Sequence, residues 1–471
     1  MRGTTRKHRA GARAAAAVLA AAFAGATAAE APPAPEVAVE MEAEVYAYEA
    51  PGNGSGPLWC HGSTCIARLG DEVFASGIET IPGAKPLNNV RWTLYRLGKD
   101  GWKLWRKDEA DRTREPSPLA VFPGGRVFLS ANPTLAPPDS YSGPAEPRVL
   151  EFQAGDPEAK PATLIPVWAG RPDFTEHSYR SFAADGPRRE LILFQNVGYT
   201  HAEWALFDRE GVWSAQGRLF WPWGAEYPKP GPIRVCYPAV ALRDRAVHFA
   251  GVSDIQEPYP EWRAYKRALT GSEWDYDFRR LFYTWTDEVG RKEFSPWVEI
   301  SSRDKTCGWI FPRDLWLDAE GAAHLLWSER AIDERLREKF FPSAKQTISL
   351  AYAVVRGGAV VLRKAVAEAE EPLLGEIPGA GRFHATEAGR LFVVYHVTGK
   401  SPDGARLFEN RIVEVRGGSI GRPARIPLSV PLANFFTATP RAGSAPSSTI
   451  DLLGEGEKPG VIRYARIRIV R

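Results

Sequence analysis

His177 in "EHSYRSFAADG" and His201 in "NVGYTHAEW" stand on either side of one apolar segment, and Tyr199 lies just before the second. Arg234 and Tyr237 follow in "RVCYPAVALRDRAVHFAG", Arg313 in "FPRDLWLDAEGAAHLLWSER", and Arg382 with His384 in "RFHATEAGRLFVVYHVTG". His61 precedes all of these, in "LWCHGS". A histidine near its ordinary pKa takes or gives a proton, a phenol donates one, and a guanidinium offers a planar fork that matches a carboxylate. Gathered at one place, these groups would suit proton transfer on an anionic ligand, so the question is which fold could gather them.

The chain is rich in β-branched and aromatic alternation punctuated by Gly, Pro and Asp, which predicts an all-β protein. "ERAIDERLREKF", Glu329 to Phe340, is the one helical interruption predicted, as an exposed insert. A module of four short strands recurs, each time opening with an apolar strand, a tight turn and a second apolar strand. "STCIARLGDEVFASGIE" and "SPLAVFPGGRVFLSANP" begin the first two, and the segments quoted above begin the next four. A seventh, "FFTATPRAG…STIDLLGE…GVIRYARIRIV", has only three strands, and the N-terminal "VAVEMEAEVYAYEA" can supply the fourth. The prediction is a seven-bladed β-propeller closed by an N-terminal strand, an arrangement that leaves no free sheet edge at the junction. The sixteen tryptophans suit packing between blades, with Trp59 and Trp309 placed near strand heads where they could stack on a sugar.

In a propeller the first strand of each blade lines the central channel, so strand heads from distant parts of the chain become neighbours around one mouth. Those heads carry His61, Glu115, Glu176 with His177, Arg234 with Tyr237, Arg313 with Asp314, and Arg382 with His384. The turn bearing Tyr199 and His201 should return to the same face. His248, His324 and His396 fall inside apolar second strands and are read as structural.

Residues 1–28 read as a secretory signal: a basic start, an Ala-rich run and small residues at Ala26-Thr27-Ala28. Their removal takes the formal net charge from +3 to −2, which argues against a nucleic-acid partner. A Pro-rich linker over 29–36 then leads into one propeller domain over 37–471. No segment approaches the length of a membrane span, so a secreted or periplasmic monomer is expected. Cys60 could pair with Cys65, and Cys236 with Cys307, but four cysteines allow three connectivities. No Cys or His spacing suggests zinc. The cofactor is unknown; a structural calcium is conceivable, although no Asp-rich loop argues for one.

From Glu176 to Arg330 the blades resemble BNR-repeat, sialidase-like propellers, particularly the branch of ulvan lyases and rhamnosyl-glucuronate lyases, without the Asp-box repeats of true sialidases. The resemblance implies β-elimination on an acidic polysaccharide or oligosaccharide, with His177 and His201 as paired histidines and Tyr237 as the catalytic tyrosine. It also implies an arginine on the strand after the Tyr-Pro strand, where this chain has Ser253. Elimination needs a cation to neutralise the uronate carboxylate, a base for the C5 proton and an acid for the leaving oxygen. Arg313 is the first choice of cation, and His61, Tyr199, Arg234, Arg382 and His384 are expected to bind substrate. The alternatives are a hydrolase using two carboxylates, with Glu115, Glu176 and Asp314 at strand heads, a sialidase-like hydrolase using Arg234, Arg313 and Arg382 on the substrate carboxylate with Tyr237 as nucleophile, and a non-catalytic carbohydrate-binding or scaffold propeller.

Overall fold

The computed structural model describes residues 31–177 and 179–471. The expected signal segment lies outside the described residues. Seven antiparallel sheets are arranged as the blades of a propeller. The inner strands of blades one to seven are Ile66–Leu69, Leu119–Phe122, Arg180–Asp185, Val235–Arg243, Trp309–Leu317, Glu376–Ala385 and Asn434–Thr437. Blade seven is closed from outside by Val37–Ala47, which pairs antiparallel with the C-terminal strand Val461–Ile469. Pairing first and last strands satisfies the backbone groups that an open ring would leave bare.

Between neighbouring blades the inner faces pack as successive apolar clusters. Between blades three and four, Phe194, Trp204, Trp221 and Phe249 are all buried together. Second-strand histidines contribute to this packing: His248 Nδ1 lies 2.6 Å from the Tyr283 hydroxyl and His324 Nδ1 lies 2.7 Å from that of Tyr352. Burial pushes both His248 and His396 down to about 4. Each therefore stays neutral in the fold while its unfolded counterpart protonates near 6.5, so stability present above that pH is lost as pH falls towards 4. The expected slope is about 1.4 kcal/mol per pH unit from each group. Urea midpoints measured from pH 7 to pH 4.5 should fall less steeply for His248→Asn and His396→Asn than for the parent; parallel curves would exclude this source of acid sensitivity.

Two helices interrupt the blades. Glu334–Phe340 is shorter than the sequence suggested, because Glu329 and Arg330 end the strand Ala323–Arg330 and Asp333 caps the helix by accepting the Arg335 N–H. Pro260–Thr270, which the sequence reading missed, opens with Pro260 and closes at Gly271 in the left-handed conformation. The flanking prolines read as a loop, yet proline is favoured in a first helical turn. The two inserts pack on each other through Trp262 against Phe341 and Tyr265 against Phe340. Beneath them, Lys266 pairs with Glu257 and Asp275, and Arg279 with Glu257 and Asp304. No helix among the described residues is long and apolar enough to cross a membrane.

Candidate functional site at the channel mouth

Two chain segments plug the channel. Thr439–Ser444 follows the inner strand of blade seven, and its Arg441 reaches across to Asp314 of blade five, 3.1 Å from Nε. The same guanidinium donates to the carbonyls of Gly62 and Val240 at 2.9 and 3.1 Å. Asp314 accepts in addition the N–H groups of Leu315 and Phe383. Its oxygens are thus committed, and it serves as a structural anchor rather than the free carboxylate a hydrolase would need. Residue 443 must be glycine: its φ is +82°, and a Cβ there would lie 1.9 Å from the Val121 carbonyl oxygen.

The second segment, Trp59–Ser63, crosses from blade one. A Cβ on Gly62 would come within 1.8 Å of the Pro238 carbonyl oxygen, so the crossing brings backbone against backbone. Ser63 Oγ accepts the Phe182 N–H, and Ser181 Oγ donates to the Pro238 carbonyl. The crossing sets His61, at φ +34°, against Tyr237 of blade four and Phe311 of blade five. A non-glycine residue held there costs about 1–3 kcal/mol and persists only where the surroundings enforce it.

Above the plug, the inner strands of blades four, five and six each carry a β-bulge, at Cys236/Ala239, Pro312/Asp314 and Pro378/Gly381. Pro238, Pro312 and Pro378 lie at these breaks, as expected of a residue that cannot donate to a ladder. Bulges re-aim side chains. The first presents Tyr237, at φ +51°, and the second presents Arg313.

Tyr237 meets His61 at a ring separation of 4.8 Å, Phe311 at 5.2 Å and Tyr179 at 5.0 Å. His61 lies edge-on between Tyr237 and Phe311, and Trp59 and Trp309 extend the aromatic surface outwards. The Tyr237 hydroxyl donates to that of Tyr179 at 3.4 Å, and burial with this neighbour pushes the Tyr237 phenol far up. It is therefore fully protonated at neutral pH. Burial, with Arg382 and Arg313 beside it, pushes His61 down to about 3, so its ring is neutral at pH 7 with one nitrogen unprotonated.

Neither Arg313 nor Arg382 forms an ion pair with a carboxylate among the described residues, although Asp314, itself paired with Arg441, lies near enough to Arg382 to act on it. Arg313 Nε donates to Ser328 Oγ at 2.8 Å, and Arg382 Nε donates to the Phe435 carbonyl at 3.1 Å. Burial and the field of Arg382 push Arg313 down to about 9, and burial brings Arg382 to about 10. Both stay cationic at neutral pH, and both would be relieved by an anion. No group of three or more His, Cys, Asp or Glu among the described residues is placed to hold a metal.

The remaining sequence-predicted residues lie elsewhere around the mouth. Exposed His177 holds its Nδ1 2.6 Å from Arg114, and its Nε2 lies 3.6 Å from Glu176. His201 faces Thr200, at 2.8 Å, and Phe220. Among the described residues, no hydrogen bond, ion pair or ring contact joins His177, His201 and Tyr237 to one another. Arg234 is paired with Asp254 at 2.7 Å and stacks under Tyr199 at 3.9 Å; Tyr199 in turn meets the Tyr276 hydroxyl at 3.0 Å. These form a polar wall in which the cation is already neutralised. Arg382 and His384 lie near the C-terminal end of their strand rather than at its head, and His384 Nε2 donates to the Ser447 carbonyl at 2.7 Å, below the mouth. Ser253 is used internally, donating to Asp277. Sequence reasoning placed Phe311 at a strand head but passed over Tyr179 and Arg441, although the prolines at the bulges signalled where side chains would turn inward.

The fold and this mouth define a seven-bladed propeller whose channel is plugged and capped by an aromatic and cationic floor. No protein-family model matches the chain, and no curated protein matches it. Among solved structures, it is similar to a protein of unknown function from Dyadobacter fermentans, with 9% identity and a TM-score of 0.43 over 92% of this chain and 99% of that one. It is similar too to a Penicillium chrysogenum α-L-arabinanase, with 10% identity and a TM-score of 0.41 over 92% and 98% of the two chains. The corresponding figures for an α-L-arabinofuranosidase of Fusarium graminearum are 11%, 0.41, 90% and 97%.

Proposed function

We propose that the channel mouth binds a uronate-bearing saccharide and cleaves it by β-elimination. The observation that carries this reading is the pair Arg313 and Arg382, a half-buried and a buried cation neither of which has a carboxylate within ion-pair distance among the described residues, set beside a neutral histidine and a protonated tyrosine. A substrate carboxylate supplies the missing counter-charge, and Trp59, Trp309 and Phe311 offer faces for the sugar ring.

Neutralising the carboxylate stabilises the anion that develops as C5 loses its proton. His61 takes that proton, Tyr237 gives one to the departing glycosidic oxygen, and the C4–O bond breaks as the C4–C5 double bond forms. The products are an unsaturated uronate and a new reducing end. In the free protein His61 resists protonation first because it is buried and then because Arg382 and Arg313 lie beside it; a bound carboxylate offsets the field of the arginines and so makes the ring a better base as the substrate arrives. The acid limb of kcat/KM should accordingly fall well below the 6.5 of an ordinary histidine, since this parameter reports the free enzyme. An acid limb near 6.5 that persists in His61→Ala would assign it to another group.

Arg313→Met is expected to weaken binding of an oligouronate by at least tenfold while leaving the melting temperature unchanged or raised, because the cation removed has no partner in the free protein. Retained affinity would place the carboxylate elsewhere. One observation favours a second reading: Glu115 is buried beside Trp59, Tyr179 and Tyr237, its carboxyl is pushed up by burial, and Glu176 lies close enough to add to the shift. A raised carboxyl beside a second carboxylate is the arrangement of a hydrolase. Incubation with uronate polysaccharides separates the two. Elimination gives ultraviolet absorbance together with reducing ends, whereas hydrolysis gives reducing ends alone.

A further inference from the structure

Cys60 and Cys65 bracket the crossing that carries His61. Their Sγ atoms stand 2.9 Å apart, wider than the ~2.05 Å of a disulfide but close enough to be joined by a small side-chain rotation. The chain between them is already turned back on itself, with the Ser63 N–H donating to the Cys60 carbonyl at 3.0 Å. Cys60 is half-buried and lines a small recess of the mouth with Trp59, Glu115, Tyr179 and Tyr237, so a small reagent can approach it; Cys65 lies fully buried behind. The other two cysteines are engaged apart from each other, Cys236 beside Asn196 and Cys307 beside Arg279. Of the two pairs suggested by the sequence, the structure brings together Cys60 with Cys65 and leaves Cys236 and Cys307 unjoined.

We propose that Cys60 and Cys65 are joined by a disulfide, formed at the expense of an external disulfide, and that this bond fixes the Trp59–Ser63 crossing. The Cys60 sulfur attacks one sulfur of the oxidant, whose own bond breaks and releases one thiol. The Cys65 sulfur then attacks that of Cys60, the mixed disulfide breaks, and the second thiol leaves. Two electrons pass to the oxidant, and the two cysteine protons end on the two thiols released. Burial holds the Cys60 thiol well above its ordinary pKa, so the reaction should be slow at neutral pH and faster in mild alkali. A closed link across this short turn holds His61 in its left-handed conformation without help from the rest of the plug.

The test uses the full chain, reduced and then incubated with oxidised glutathione, unfolded, and alkylated before and after reduction. Only Cys236 and Cys307 should be labelled before reduction, with the peptide spanning Cys60 and Cys65 lighter by two hydrogens; all four should be labelled afterwards. Four labelled cysteines throughout, or a bond between another pair, overturns the assignment. Amide exchange at His61 and Ser63 should be at least tenfold faster in the reduced protein or in a Cys60→Ser, Cys65→Ser variant than in the oxidised one. Equal exchange overturns the role given to the bond. Neither readout involves a substrate, so both stand apart from the reaction proposed for the site.

Discussion

Tyr237→Phe is expected to slow elimination by about 10²- to 10⁴-fold, the range over which a positioned acid contributes, with little change in the affinity for an oligouronate. The ring packs among His61, Phe311 and Tyr179, and those contacts survive the loss of one hydroxyl. Among the described residues the hydroxyl has only Tyr179 as a hydrogen-bond partner, at 3.4 Å, which leaves it able to meet a leaving oxygen. Single-turnover rates and equilibrium binding on the same protein separate the two effects. Loss of binding with an unchanged rate for the bound fraction would make Tyr237 a ligand-binding residue and move the proton donor elsewhere.

The largest expected effect on stability belongs to the plug. Asp314→Ala leaves Arg441 as an uncompensated cation in the centre of the ring and removes the acceptor of two backbone N–H groups. Breaking a buried pair from one side costs about 3–5 kcal/mol. Arg441→Met should cost a similar amount and additionally free the Gly62 carbonyl, and with it the segment that carries His61. Combining Asp314→Ala with Arg441→Met should lose less than the two single changes together, because neither member of the pair is then left behind as an unpaired buried charge. Denaturant midpoints check this. Additive losses would show that the two residues act independently, contrary to the shared contacts of the guanidinium.

Much of the ring could be read from the chain. Each blade begins with two apolar strands around a Gly- or Asp-containing turn, and a seventh unit short of one strand implied that Val37–Ala47 would close it. Burial on both faces makes such strands conspicuous. The helix Pro260–Thr270 escaped notice because its polar face and flanking prolines carry the composition of a loop, while its packing partner Phe341 belongs to another blade. The mouth was only partly legible. His61, Tyr237, Arg313 and Arg382 were singled out as strand-head residues; His61 packs on Tyr237 with Arg313 and Arg382 beside it, but Arg382 comes from near the far end of its strand, because a strand head by itself fixes neither depth nor direction. Side-chain direction is set by bulges whose only trace in the sequence is a proline, and depth by the two crossings. Arg441 and Asp314 are 127 positions apart, and no local pattern announces that they touch.

The most direct test of the central claim compares one acidic polysaccharide with the same polymer after its carboxylates have been reduced to alcohols. Bound between Arg313 and Arg382, the acidic polymer should yield ultraviolet absorbance from unsaturated uronate, and the reduced polymer should yield neither absorbance nor detectable binding. Equal binding of both polymers, or reducing ends released from the neutral one, would contradict a site built around a carboxylate.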